Sequence, residues 1–355
     1  MSSLSSATLA LLFVGFTACG GGSEPQVDAP ASRQVEADLV VDATGFTAPL
    51  ALSVPPNTRS ITIIASGEGG ALYALGSLQT ADGIEHVGID VATTPGPAMR
   101  ASYNTEQIGQ MPGGLYQSIR LGTFTQIYPY RPDQVVSAGA TTLRIASDTP
   151  GPVHVTVVMP VDDGGKVLHL NLIAVSESLS IARPPTFLSA LQAIFTQAGI
   201  QIVVDDIREL RGTGLAAITE STEPQEAPQS MSARLPALST GNSAAALDVF
   251  IVDSLPSGIG GLSLGTPGPP VRGSYYYGVI VRYSANDGQL AVVIAHETCH
   301  FLALQHVKNV GVSGMVYLDP LDDTQPGQGN LMEIGSKLTP DQGFSLSRSA
   351  LLQLQ

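Results

Sequence analysis

Through the first half of the chain, apolar residues come in short alternating runs, each broken by Gly, Pro or Asn. ITIIAS (61–66), TTLRIAS (141–147) and VHVTVVM (153–159) are the clearest. Period-two alternation puts every second side chain on one face, the mark of a half-buried strand, and no convincing helical period interrupts it. The pattern predicts a β-sandwich module of jelly-roll or immunoglobulin-like type over residues 35–163. No internal repeat appears. A spacer, a binding module and an inhibitory pro-region fit this half equally well.

After VDDGGK (161–166) the pattern changes. LHLNLIAV (168–175) alternates as a strand. PPTFLSALQAIFTQAG (184–199) then places Leu188, Leu191, Phe195 and Ala198 on one helical face, with Gly199 as a stop. IQIVVDDI (200–207) and LDVFIVDSL (247–255) read as further strands, the second apolar almost throughout and therefore central. The polar stretch 219–232 reads as a surface loop. SYYYGVIVRYS (274–284) is a fourth strand, either at the edge of a cleft, where it could pair with an extended peptide, or central with Tyr275 and Tyr277 packed. DGQLAVVIAHETCHFLALQ (287–305) is helical and apolar on nearly every side before His296, so it is buried. Strand, helix, strand, then strands leading into a helix predicts an α+β chain. Its second part, residues 164–355, is a mixed α/β domain of catalytic type with one helix packed on a twisted sheet.

Length agrees with two domains, since 355 residues exceed one ordinary core. A net charge of −14 argues against nucleic acid, whose phosphates need a basic surface. The glycine-rich loop SGIGGLSLGTPGPPVRG lacks the GK[ST] ending of a phosphate-binding loop and opens no helix directly, so it reads as a flexible loop bordering a cleft.

The first residues read as an address. LALLFVGF (9–16) is an apolar run of signal-peptide length, too short to remain as a spanning helix. It ends in FTACGGGSEP, which resembles the lipobox of bacterial lipoproteins, with Cys19 as the residue to be acylated at the new N-terminus. Residues 1–19 are then a signal peptide and 20–34 a flexible tether. The expected location is the cell envelope, lipid-anchored, or the medium if Cys19 is not acylated. Cys299 is the other cysteine, so a lipidated Cys19 leaves no disulfide and stability falls to the core or a metal.

The chemistry is concentrated in HETCHFLALQH (296–306), which holds three of the six histidines. His296 and His300 are four residues apart and face the same way on a helix, able to share a cation. Glu297 lies about 100° round from His296. It can stand beside the metal, hold a water and take its proton during attack on a carbonyl. On a continuing helix His306 would sit about 120° round and ~9 Å along the axis from His300. It joins the same metal only if the helix ends near Ala303 and the chain turns back. Otherwise an acidic residue further on, Glu333, Asp319 or Asp322, completes the set, or the histidines are satisfied without a metal. Cys299 points off the ligand face as packing. His86, His154 and His169 stand alone in the sequence and read as exposed or satisfied.

HETCHFLALQH resembles the metzincin zinc-peptidase signature HExxHxxGxxH, with Ala303 at the glycine position. The resemblance implies zinc on His296, His300 and His306, Glu297 as general base, and peptide or protein substrates. GNLMEIG (329–335) is similar to the methionine-containing turn beneath the metal in that family, with Met332 in the role. DPLDDTQ (319–325) and KLTPDQ (337–342) are similar to stretches flanking that turn in pappalysin-like members, and the likeness covers residues 166–355.

Overall fold

Period-two alternation in the first half becomes two sheets whose strands all pair antiparallel. The computed structural model describes residues 32–87, 117–120, 122–162, 164–177, 186–219, 230–239, 246–256, 258–272, 274–310, 316–333 and 335–352. The strands are β1 (Ser32–Val41), β2 (Leu50–Val54), β3 (Ile61–Gly67), β4 (Tyr73–Gln79), β5 (Glu85–Val87), β6 (Gln117–Arg120), β7 (Thr123–Tyr128), β8 (Gly139–Ser147) and β9 (Gly151–Pro160). One sheet runs β1-β9-β3-β7-β6 and the other β2-β8-β4-β5. Val153, Val155, Val157 and Met159, alternate residues of β9, share a core with Ile61 and Ile63 of β3, Leu75 and Leu78 of β4, and Leu143 and Ile145 of β8. Each such side chain contributes about 1.5–3 kcal/mol by leaving water. β1 opens at Ser32, three residues inside the expected tether, because its register against β9 continues back to Pro160. The expected signal segment, with Cys19, lies outside the described residues.

The second half holds β10 (Val167–Val175), α1 (Phe187–Thr196), β11 (Gln201–Leu210), α2 (Met231–Arg234), β12 (Leu247–Val252), β13 (Gly261–Ser263), β14 (Val279–Arg282), α3 (Asp287–Phe301), β15 (Lys308–Val310), β16 (Val316–Leu318) and α4 (Pro340–Leu346). Its main sheet has the order β11-β10-β12-β14-β13, with the first four strands parallel and β13 antiparallel to β14. On one face Leu170, Leu172, Val249, Ile251 and Val279 meet Leu191 and Phe195 of α1 and Leu290 and Ile294 of α3. On the other, Ile173, Val175, Phe250, Val252 and Ile280 pack on Leu215, Ile218, Leu235 and Leu264. β12 is thus covered on both faces, which is why LDVFIV has no polar alternation beyond Asp248. The chain is a mixed α/β protein with sheets and few helices.

Two stretches differ from the sequence reading. Within SYYYGVIVRYS only Val279–Arg282 is strand, and it lies inside the sheet between β12 and β13. Gly278 explains the late entry: at φ +113°, with Asp248 O 2.9 Å from where a Cβ would be, the chain bends there and joins the sheet only afterwards. The edge is instead β13, drawn from the glycine-rich loop. Of the polar stretch 219–232, residues 220–229 lie outside the described residues, while Met231–Arg234 forms the one-turn α2, capped by Ser230.

Residues 31–355 form one compact unit. The sheets of the first half are tied into the second: Ile127 and Tyr130 enter the core under α1 and α3. Ser345 Oγ donates to Tyr130 O at 2.7 Å, Ser60 Oγ to Arg348 O at 2.6 Å, and the Arg348 guanidinium to Arg59 O at 2.9 Å. The sheets of both halves therefore belong to one compact unit. Among the described residues no helix is long and apolar enough to cross a membrane.

Candidate metal centre

α3 carries the first two histidines. It starts where Asn286 accepts a hydrogen bond from the Gln289 N–H at 3.0 Å, and Asp287 places a negative charge in the first turn. Leu290, Ala291, Ile294 and Ala295 face the core. Val293, His296, Glu297 and His300 face an open cleft of about 740 Å³. The helix was expected to be buried all round; instead, half-buried Val292 and Val293 line that cleft.

The helix stops where the third histidine requires it. Leu302 is its cap, Ala303 takes φ +111°, and the Ala303 and Leu304 N–H groups donate back to His300 O (3.0 Å) and Cys299 O (2.8 Å). This double bond pattern is a Schellman motif, and its left-handed position usually goes to glycine because a Cβ there costs about 1 kcal/mol. Ala303 is buried, so the surrounding core holds it in place. Ala303→Gly is expected to raise the unfolding free energy by ~1 kcal/mol and to keep metal affinity, measured by denaturant titration and zinc competition.

The turn delivers His306 to the other two. Its Nε2 lies 3.1 Å from His296 Nε2 and 3.1 Å from His300 Nε2. The opposite ring nitrogens of His296 and His300 face carbonyls: Nδ1 is 2.7 Å from Leu331 O and 2.6 Å from Leu304 O, respectively. A carbonyl only accepts, so both Nδ1 atoms carry the proton and both Nε2 atoms present a lone pair. His306 could satisfy one of them with a proton, never both; one cation satisfies all three. Three nitrogens at zinc-ligand distance and tetrahedral angles lie about 3.3 Å apart, so the spacing fits. Burial pushes the pKa of His296 down, and that of His300 well down, which keeps both rings in the neutral form that binds metal. Among the described residues these three histidines are the group whose ligand atoms all fall within 4.8 Å of one another, and no carboxylate joins them.

Glu297 follows in the same cleft. It is buried, and burial pushes its carboxyl up to about 8, opposed by a hydrogen bond from the Ser263 backbone N–H on β13. That strand forms the cleft wall facing α3, with Gly261 and Leu262 lining it.

Met332 is fully buried in the turn after β16, and the Val307 N–H donates to its carbonyl at 3.3 Å. Asn330 Oδ1 accepts from the Met332 N–H at 2.9 Å, and Asn330 and Gln342 exchange two amide hydrogen bonds of 3.0 Å in the core. The turn thereby fixes Leu331, whose carbonyl orients His296. Gln342 belongs to α4, which begins with a complete capping box at Thr339.

Of the three acidic candidates, Asp319 and Glu333 are otherwise engaged. Asp319 is buried against the Thr324 hydroxyl and is pushed up to about 6 by burial. Asp323 accepts from the Asp341 N–H. The half-buried Glu333 carboxylate takes the Gly327 N–H at 3.2 and 2.9 Å. Asp322 is exposed. Cys299 is buried, its thiol inert because burial pushes its pKa up. Away from the site, His154 pairs with Asp38 at 2.8 Å and His169 with Asp205 at 2.6 Å, while His86 packs on Tyr128 with ring centroids 4.6 Å apart. Sequence reasoning missed the carbonyls that orient the histidines and the strand β13 beside Glu297. The alternation of Leu262 and Leu264 in GGLSLG was the available signal for that strand.

No protein-family model matches the chain. No curated protein matches it. Among solved structures, it is similar to archaemetzincin from Methanopyrus kandleri at 12% identity and TM-score 0.27, over 51% of this chain and 87% of that one. It is also similar to metalloproteinase-II from Bacteroides fragilis at 12% identity and TM-score 0.29, over 52% and 58% of the two chains. A third is a zinc-dependent peptidase from Methanocorpusculum labreanum, at 12% identity and TM-score 0.23, over 49% and 92%. Likeness this slight carries neither fold nor activity across, and the centre stands on its own geometry: three imidazoles able to hold one metal ion, beside a buried carboxylate in an open cleft.

Proposed function

We propose that the chain is a zinc-dependent endopeptidase of metzincin type, with the metal on His296, His300 and His306 and Glu297 as general base. The observation that carries this reading is the convergence of three Nε2 atoms, two of them bare because their Nδ1 protons go to carbonyls. Zinc on three neutral nitrogens supplies Lewis acidity and brings the pKa of a water toward ~7. Glu297 receives the proton of the attacking water on its carboxylate and passes it to the leaving amine. A cation beside it favours the ionised carboxylate, reversing the effect of burial. Leu331 O and Leu304 O hold two imidazoles in orientation, and Met332 packs as the methionine of the turn below. β13, at the edge of its sheet, offers backbone groups with which an extended peptide can pair.

The same reading takes residues 35–163 as a β-sandwich module braced against the peptidase part. It takes Cys19 as the lipidated residue of an exported protein held at the bacterial cell envelope. The test is metal analysis of the purified protein. One zinc per chain is expected, with casein cleavage that a chelator abolishes and added zinc restores. Zinc-loaded protein that cleaves neither casein nor a peptide library would reduce the site to a structural one on a binding lipoprotein, and chelator-resistant cleavage would remove zinc from the mechanism.

A further inference from the structure

Two neighbouring glycines, Gly260 and Gly261, stand where the chain enters β13, and neither has a positive φ that would demand glycine. Their surroundings differ. A Cβ on Gly260 would meet nothing nearer than Val293 at 3.7 Å, an ordinary contact. A Cβ on Gly261 would lie 2.5 Å from Cγ, 2.8 Å from Oε1 and 2.9 Å from Cδ of Glu297. All three atoms belong to one side chain, and it is the one carboxylate that the proposed reaction uses.

We propose that Gly261 is a positioning residue for Glu297: the side chain missing at this point on β13 is the space the base occupies. This rests on the endopeptidase reading for its functional meaning, and on steric contact alone for its structural one. The strand holds Glu297 from two sides. Gly261 lets the methylene and carboxylate lie flat against the backbone, and two residues on the Ser263 N–H donates to the carboxylate. The strand itself is fixed: Gly261 pairs with Val281 and Ser263 with Val279, the Arg282 N–H donates to Gly260 O at 2.9 Å, and Ser263 Oγ donates to Gly265 O at 2.6 Å. With the strand pinned and Glu297 buried, a methyl at 261 displaces the glutamate in preference to the backbone. A shift of about 1 Å in a catalytic group can cost 10²-fold in rate.

The experiment is a double-mutant cycle between Gly261→Ala and Glu297→Ala in the full-length protein, read as kcat, KM, zinc content and Tm. Gly261→Ala is expected to keep one zinc per chain, lower kcat by about 10²-fold and change KM by less than about threefold. Gly260→Ala, which adds the same methyl one residue earlier, is expected to lose far less. In the Glu297→Ala background, Gly261→Ala should lower the residual rate no further, and any Tm it loses in the wild-type background should be regained. Full activity in Gly261→Ala, equal losses in both backgrounds, or a Gly261→Ala chain that folds in neither background would each overturn the proposal. The Tm arm needs no catalysis and can be run without metal, so a wild-type protein that neither binds zinc nor cleaves peptides would overturn the functional reading while the steric coupling is still measured.

Discussion

Glu297→Ala is expected to bind one zinc per chain and to hydrolyse peptides about 10²–10⁴-fold more slowly than the wild type, the range a positioned general base supplies. Metal retention follows from the geometry, because the glutamate contributes no atom to the histidine cluster. The rate loss follows from its position: a buried carboxylate on the cleft, one residue along the helix from a ligand, with a backbone N–H holding it in place. Removing it also removes a group whose burial as a carboxylate costs free energy, so the variant should be no less stable in a denaturant titration. Zinc content by elemental analysis and single-turnover hydrolysis of a fluorogenic peptide check the two halves. A variant that loses zinc together with activity would make Glu297 a ligand and return the third-histidine question to the start.

His306→Ala should have the larger effect on the metal. Loss of an outer hydrogen-bond partner of a ligand already costs 10–100-fold in affinity, so loss of a ligand should exceed about 100-fold. The remaining pair, His296 and His300, is held by its carbonyls and stays in place, which confines the change to the metal. Competition with a chromogenic chelator measures it, and circular dichroism shows whether the fold persists. Wild-type affinity in this variant would hand the third position to an acidic residue. Glu333, which lines the cleft with His306, would come first, because Asp319 is engaged with Thr324 inside the core.

Much of the frame was legible before any coordinates. β3, β8, β9, β10 and α1 fall within a few residues of the runs that predicted them, because period two and period 3.6 are local properties of a chain with one buried face. Places where local pattern misled were those where a distant segment decided. SYYYGVIVRYS read as strand throughout, with edge and centre both open, but only Val279–Arg282 is strand, and it is interior because the glycine-rich loop returns to pair with it. In that loop the alternation of Leu262 and Leu264 was the available cue to three residues of strand. The carbonyls of Leu331 and Leu304 and the N–H of Ser263 had no signal at all, since every residue but proline has the same backbone groups.

The sequence by itself determined which side chains could hold a metal and which could move a proton, because residue type and helical spacing put His296, Glu297 and His300 on one helical surface. It also determined a condition: His306 is useful only if the helix ends at Ala303. Tertiary structure decided that the condition is met. Alanine does not choose φ +111° unaided, and local preference argues against it by about 1 kcal/mol. The buried packing around residues 301–304 and the turn at Met332 add to the local Schellman hydrogen bonds to outweigh that preference, and the energy of that packing comes from segments that meet only once the chain has folded.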